Sequence, residues 1–194
     1  WQTGIVPNWL ATIYRDDPAL SGAASILTVH DVVHQGILGY HVLELAGLRA
    51  YGFITHPDIP ELAELVNLLG RGIMYADVVT TVSKNYAREI QTPAFGERLD
   101  PLFRELGERL VGITNGVDTE GYDPGADEFL AATYGPDTLE RRAANKDALQ
   151  RALGLAPDTA APLIAMNAHL EAAAGWDLLT DVLEPIVAHL GAQV

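Results

Sequence analysis

Three short apolar runs in this chain end on polar residues that could do chemistry: Ser25 to Val29 on His30, Val78 to Val82 on Ser83, and Leu110 to Thr114 on Asn115-Gly116. Residues at the ends of buried parallel strands face the ligand crevice of an open α/β sheet. There an imidazole, a hydroxyl or a carboxamide can hydrogen-bond a polar ligand, and the imidazole can also carry a proton near neutral pH. The competing reading of His30 is an imidazole bonded to nearby backbone. Other chemistries are excluded more simply. The chain has no cysteine, so it offers no thiolate nucleophile, disulfide or cysteine zinc site. Its six histidines lack HExxH-like spacing, and no metal site is expected.

The elements that must position these residues alternate in type. Trp1 to Ile13 has helical spacing, with Pro7 admissible only near the start, and Tyr14 to Pro18 breaks it. Ser25 to His30 reads as a strand, Val42 to Ala46 as a helix, Tyr51 to Pro60 as a loop, and Glu61 to Tyr75 as an amphipathic helix. Val78 to Val82 is a buried strand followed by Ser83 as helix cap, and Asn115-Gly116 suits a tight turn with positive φ. Gly, Pro and Asp recur between Asp118 and Pro136, as in a linker. Leu139 to Leu153 is a charged helix with Gly154 placed to cap it; Pro162 to Leu170 reads as a strand and Trp176 to Leu190 as a helix. The fold class is α/β with a parallel sheet, in two parts: residues 1–135, and residues 136–194 as the start of a second domain.

Hydrophobic residues make up 48% and charged residues 20%, so the chain folds. The formal charge of −14 repels phosphate backbones and anionic lipid, which argues against nucleic-acid and membrane partners. No run approaches the length of a membrane span, and the N-terminus lacks a basic flank before an apolar core. A cytoplasmic setting is the expectation, or a plastid one if a transit peptide preceded this sequence.

The wording of several segments is more specific than their pattern. Tyr75 to Ile90, Thr92 to Gly96, Gly112 to Asp118 and Tyr122 to Pro124 resemble the bacterial glycogen synthases and plant starch synthases. So does Thr28 to Gly36, which reads Thr-Val-His-Asp-Val-Val-His-Gln-Gly. The resemblance runs from Trp1 to the Gly-Trp-Asp-Leu-Leu of Gly175 to Leu179. It implies a GT-B glycosyltransferase, with two Rossmann-like domains facing a cleft, and an internal piece of an enzyme more than twice this length. The implied reaction extends an α-1,4-glucan from ADP-glucose, rather than UDP-glucose, with retention and without a metal ion or other cofactor. The partners are then the α-glucan acceptor and the nucleotide sugar.

By the same resemblance His30 contacts the transferred glucose and is the catalytic candidate. Trp1, Gln2, Asp31, Gln35, Gly36 and Asn115 are the substrate-binding candidates. Two of these positions depart from the family: Asp31 stands where Asn is usual, and the neighbouring His34 where Tyr is usual. A carboxylate only accepts hydrogen bonds and adds negative charge near an anionic donor. In the second part His169 and Ala174, beside Gly175, stand where the family has the Arg and Lys that neutralise the donor diphosphate. Each lost charge-assisted bond is worth about 1.5–3 kcal/mol, and His169 replaces one only when protonated. The sequence therefore also admits a non-catalytic glucan-binding or interaction protein on the same scaffold, and this piece by itself is expected to be inactive.

Overall fold

The computed structural model describes residues 1–48, 65–170 and 174–194, and the chain divides into two compact units, Trp1–Gly116 and Val117–Val194. The loop expected at Tyr51 to Pro60 lies outside the described residues. In chain order the first unit contains α1 (Ile5–Ala11), β1 (Ile26–Val29), β2 (Ile37–Gly39), α2 (His41–Leu45), β3 (Leu65–Asn67), α3 (Leu68–Tyr75), β4 (Val78–Thr81), α4 (Lys84–Glu89), α5 (Asp100–Leu106) and β5 (Leu110–Gly112). The second unit carries α6 (Arg142–Ala152) and α7 (Trp176–Leu190).

Strands β1, β4 and β5 form a parallel sheet in the order β1-β4-β5. In β1 the inward residues Leu27 and Val29 alternate with exposed Ile26 and Thr28, so this strand is half-buried rather than covered on both faces. Leu27, Val29 and Val79 meet Leu69 and Ile73 of α3, Phe103 and Leu106 of α5, and Ile90 and Leu99. Removing each such side chain from water contributes about 1.5–3 kcal/mol. Asp77 pins the start of the β1–β4 pair, accepting from the Ser25 amide at 2.7 Å and the Ser25 hydroxyl at 3.0 Å.

A second, antiparallel pair joins β2 to β3, with Leu38 opposite Val66. This corrects the helix expected to run through Leu65 and Val66. Asn67 is the reason: it ends the strand, takes extended backbone angles, and caps α3 by accepting from the Gly70 amide at 2.8 Å. Leu65, Val66, Leu69 and Ile73 therefore satisfy helical spacing while two of them belong to a strand. Leu43, Leu48, Val66 and Leu68 form a second core against Ile5 and Trp9 of α1. The segment ahead of α1 is held by glycine contact: a Cβ on Gly4 would sit 2.3 Å from the Leu68 carbonyl oxygen, and one on Gly72 2.8 Å from the Gly4 Cα. Helix α5 was not expected, although Asp100-Pro101 at its start and Gly107, at φ 55°, beyond its end are start and stop signals.

In the second unit Gly154 takes φ 70°; its amide bonds the Arg151 carbonyl, and that of Leu155 bonds the Gln150 carbonyl, closing α6 as expected. The division falls after Gly116, earlier than 135/136, because the stretch before α6 is tied to it: Asn145 accepts from the Ala132 amide and donates to its carbonyl, both at 2.8 Å. The strand expected at Pro162 to Leu170 reduces to one bridge between Leu163 and Gln193. A strand needs a ladder partner, and Gln193 supplies a single rung.

Candidate functional site at the sheet edge

The register sets Val29 beside Thr81 and Thr81 beside Gly112, so β1, β4 and β5 end in line. His30 follows the first end, Ser83 the second and Asn115 the third, all at the C-terminal edge of one sheet. With β4 between the outer strands, Val29 and Gly112 end the sheet roughly 10 Å apart, two strand spacings, with His30 one residue and Asn115 three residues beyond. Both residues are exposed, and among the described residues neither side chain makes a hydrogen bond. The reading of His30 as an imidazole tied to backbone is thereby set aside. Ser83 caps α4, its hydroxyl accepting from the Tyr86 amide at 2.9 Å. The tight turn expected at Asn115-Gly116 does not form, and Gly116 stays out of the left-handed region. The chain stays beside β4, where the Ile113 amide bonds the Thr81 carbonyl. It turns later, at Asp118, whose carboxylate accepts from the Glu120 and Gly121 amides.

The loop after β1 is built from its own side chains. Asp31 Oδ1 accepts from the Val33 amide at 2.7 Å and the His34 amide at 3.0 Å, while Oδ2 lies 3.0 Å from His34 Nδ1. Burial pushes the Asp31 carboxyl up, but the His34 amide, the His34 ring and the Val33 amide outweigh it and hold the group below the ordinary aspartate value. The two departures noted in the sequence thus face each other. The Asp31 carboxylate is engaged by the amides and the ring of its own loop.

Gln35 is also committed. Its Nε2 donates to the carbonyls of Val32 at 2.9 Å and Glu97 at 2.8 Å, and its Oε1 accepts from Asn67 at 2.5 Å. Glu97 and Arg98 are consecutive non-glycine residues in the left-handed region, at φ 46° and 69°. A buried amide with both N–H groups committed in this way serves to hold that segment. Gly36, at φ 63°, lies under the indole of Trp1, where a Cβ would come 2.2 Å from Cε3. Trp1 and Gly36 are therefore brought together, with Gln2 exposed beside Trp1. Sequence reasoning missed Thr81, whose buried hydroxyl donates to the Val29 carbonyl at 2.9 Å. No local signal marks it, since its partner is 52 residues away.

In the second unit Gly175 takes φ 83° and precedes α7, and the Trp176 indole donates to the His169 carbonyl at 2.7 Å. His169 is exposed, Ala174 brings no charge, and Asp177 occupies the first turn of α7. Among the described residues no group of three or more His, Cys, Asp or Glu could hold a metal ion, and no helix is long and apolar enough to cross a membrane.

Residues 1–105 match a family model described as starch synthase catalytic domain. The chain is 40% identical over 184 residues to a glycogen synthase of Pseudothermotoga lettingae, covering 95% of this chain and 37% of the relative. It is 41% identical over 187 residues to a glycogen synthase of Moorella thermoacetica, covering 96% and 38%. Among solved structures it is similar to the catalytic domain of starch synthase IV from Arabidopsis thaliana, bound to ADP and acarbose. That match has TM-score 0.83 and 28% identity, over 100% of this chain and 39% of that one. The chain thus spans well under half the length of these relatives.

Proposed function

Because the chain belongs to the starch synthase catalytic domain family, we propose that the protein carrying it transfers glucose with retention from ADP-glucose to the non-reducing end of an α-1,4-glucan. The observation that supports this most is the row of strand ends: His30 and Asn115 stand unbonded and exposed at one sheet edge. In this reading those two hydrogen-bond the hydroxyls of the transferred glucose, and Trp1 over Gly36 lines the same site. Fixing the sugar in this way supplies proximity and orientation for a transfer in which charge separates between ring and diphosphate. No metal ion is required of the residues named. The names of the relatives favour this reading over a non-catalytic glucan binder, and their bacterial sources support a cytoplasmic setting.

At the positions where the family resemblance expects cations for the donor phosphates, His169 and Ala174 offer no permanent charge. The test is incorporation of labelled glucose from ADP-glucose into maltooligosaccharide by the whole protein. Incorporation is expected, with a loss of roughly 10²-fold in His30→Ala through lost positioning. Tighter ADP-glucose binding is expected in the His169→Arg, Ala174→Lys double variant. Absence of transfer from either ADP-glucose or UDP-glucose overturns the reading.

A further inference from the structure

His30 is one residue between two clamps. On its N-terminal side the Val29 carbonyl is held by the buried Thr81 hydroxyl at 2.9 Å. On its C-terminal side Asp31 closes a turn over Val33 and His34 and meets the His34 ring. Beyond the turn, Val32 is buried and its carbonyl accepts from Gln35, so the turn is anchored as well as closed. The imidazole between them has no bond of its own, so what the two clamps fix is the backbone at His30 and the direction in which its Cα–Cβ bond leaves it. A side chain that must meet a ligand without rearranging needs a support of this kind.

We propose that Asp31, paired with His34, and Thr81 are positioning residues for His30, with Asp31 acting as acceptor of the turn rather than as a ligand of the substrate. This rests on the reading of His30 as the glucose contact for its consequence, but not for its geometry. The Asp31–His34 pair is largely exposed, at 50% and 73% side-chain accessibility, so its contribution lies in geometry and not in salt-bridge strength. Asparagine at 31 would keep an oxygen for both amides, while losing the charge and placing an NH2 donor where Oδ2 meets the His34 ring.

The test compares Asp31→Ala, Asp31→Asn, His34→Gln and Thr81→Val in this chain by the imidazole NMR signals of His30. Asp31→Ala is expected to shift and broaden them, Asp31→Asn to leave them close to wild type, and His34→Gln to fall between, with the signals of histidines in the second unit unmoved. Thr81→Val, which keeps volume but removes the hydroxyl, is expected to move them from the other side and serves if Asp31→Ala does not fold. In the whole enzyme the same Asp31→Ala is expected to lower kcat by on the order of 10²-fold with KM little changed, and Asp31→Asn to restore most of it. Unmoved His30 signals in folded Asp31→Ala and Thr81→Val overturn the inference. So does an Asp31→Asn variant that raises KM while His30 is undisturbed, since Asp31 would then touch substrate. If the His30 signals move as expected but wild type transfers no glucose, the proposed function fails and the positioning stands.

Discussion

Asp77 shows how a single carboxylate can set the register that the site depends on. It receives the amide and hydroxyl of Ser25, one residue before β1, and sits one residue before β4. These Ser25 bonds, amide first, hold its carboxyl below the ordinary value of 3.8 against a smaller opposing effect of burial. A carboxyl lowered in the folded state binds fewer protons there than in the unfolded chain. Its stabilisation is therefore complete above the unfolded value and lost as pH falls through the folded one. Asp77→Asn is expected to lower the melting temperature at about pH 7, and the gap from wild type to narrow as pH falls to about 3. Thermal melts across that range check it; a constant gap would mean that the carboxylate charge is irrelevant to the register.

Among the elements, β5 and α4 meet backbone to backbone. A Cβ on Gly112 would come 2.3 Å from the Ser83 carbonyl oxygen and 2.5 Å from the Lys84 Cα, both backbone atoms that no rotamer change can move aside. Gly112→Ala is expected to cost at least about 1–3 kcal/mol by overpacking, and to disturb the Ser83 cap and the exit of Asn115 together. Gly116→Ala, only four residues on, meets nothing within 4 Å and is expected to stay within about 0.5 kcal/mol of wild type. Urea unfolding of the two variants side by side checks the contrast, and equal stability of both would refute the close approach. The pairing of β2 with β3 belongs to this scale too, because Asn67 ends one element and caps the next.

At the scale of the whole molecule, apolar burial is unevenly shared. Among the described residues every buried leucine, isoleucine, valine and phenylalanine lies in Trp1–Gly116, and the second unit buries only Ala161 and Ala192 of its hydrophobic residues. In α7, Leu178 and Leu190 stay 71% and 63% exposed. Apolar area removed from water is the main term offsetting chain entropy. Residues 1–116 expressed alone are therefore expected to melt cooperatively, and residues 117–194 alone to show no cooperative transition. Circular dichroism melts of the two pieces decide this, and a sharp transition in the second would show that it is stabilised by something other than a buried core.

Local rules in the sequence were enough to find β1, β4 and β5, the Ser83 cap, α7 and the Gly154 terminus of α6, because each depends on residues within a few positions of one another. The family wording brought His30 and Asn115 forward in the same way, as short contiguous motifs. What only the tertiary structure decided are the states that depend on distant partners. Leu65 to Asn67 became a strand because Ile37 to Gly39 lay beside it, and Pro162 to Leu170 failed to become one because only Gln193 did. Gln35 reads as a site residue in its motif, but Glu97 and Asn67 consume its amide from across the fold. Asp31 and His34 each read as an isolated departure, and only the turn that brings the ring to the carboxylate makes them one unit. Hydrogen-bonding capacity is written in a side chain, but how it is spent depends on which neighbours the fold supplies.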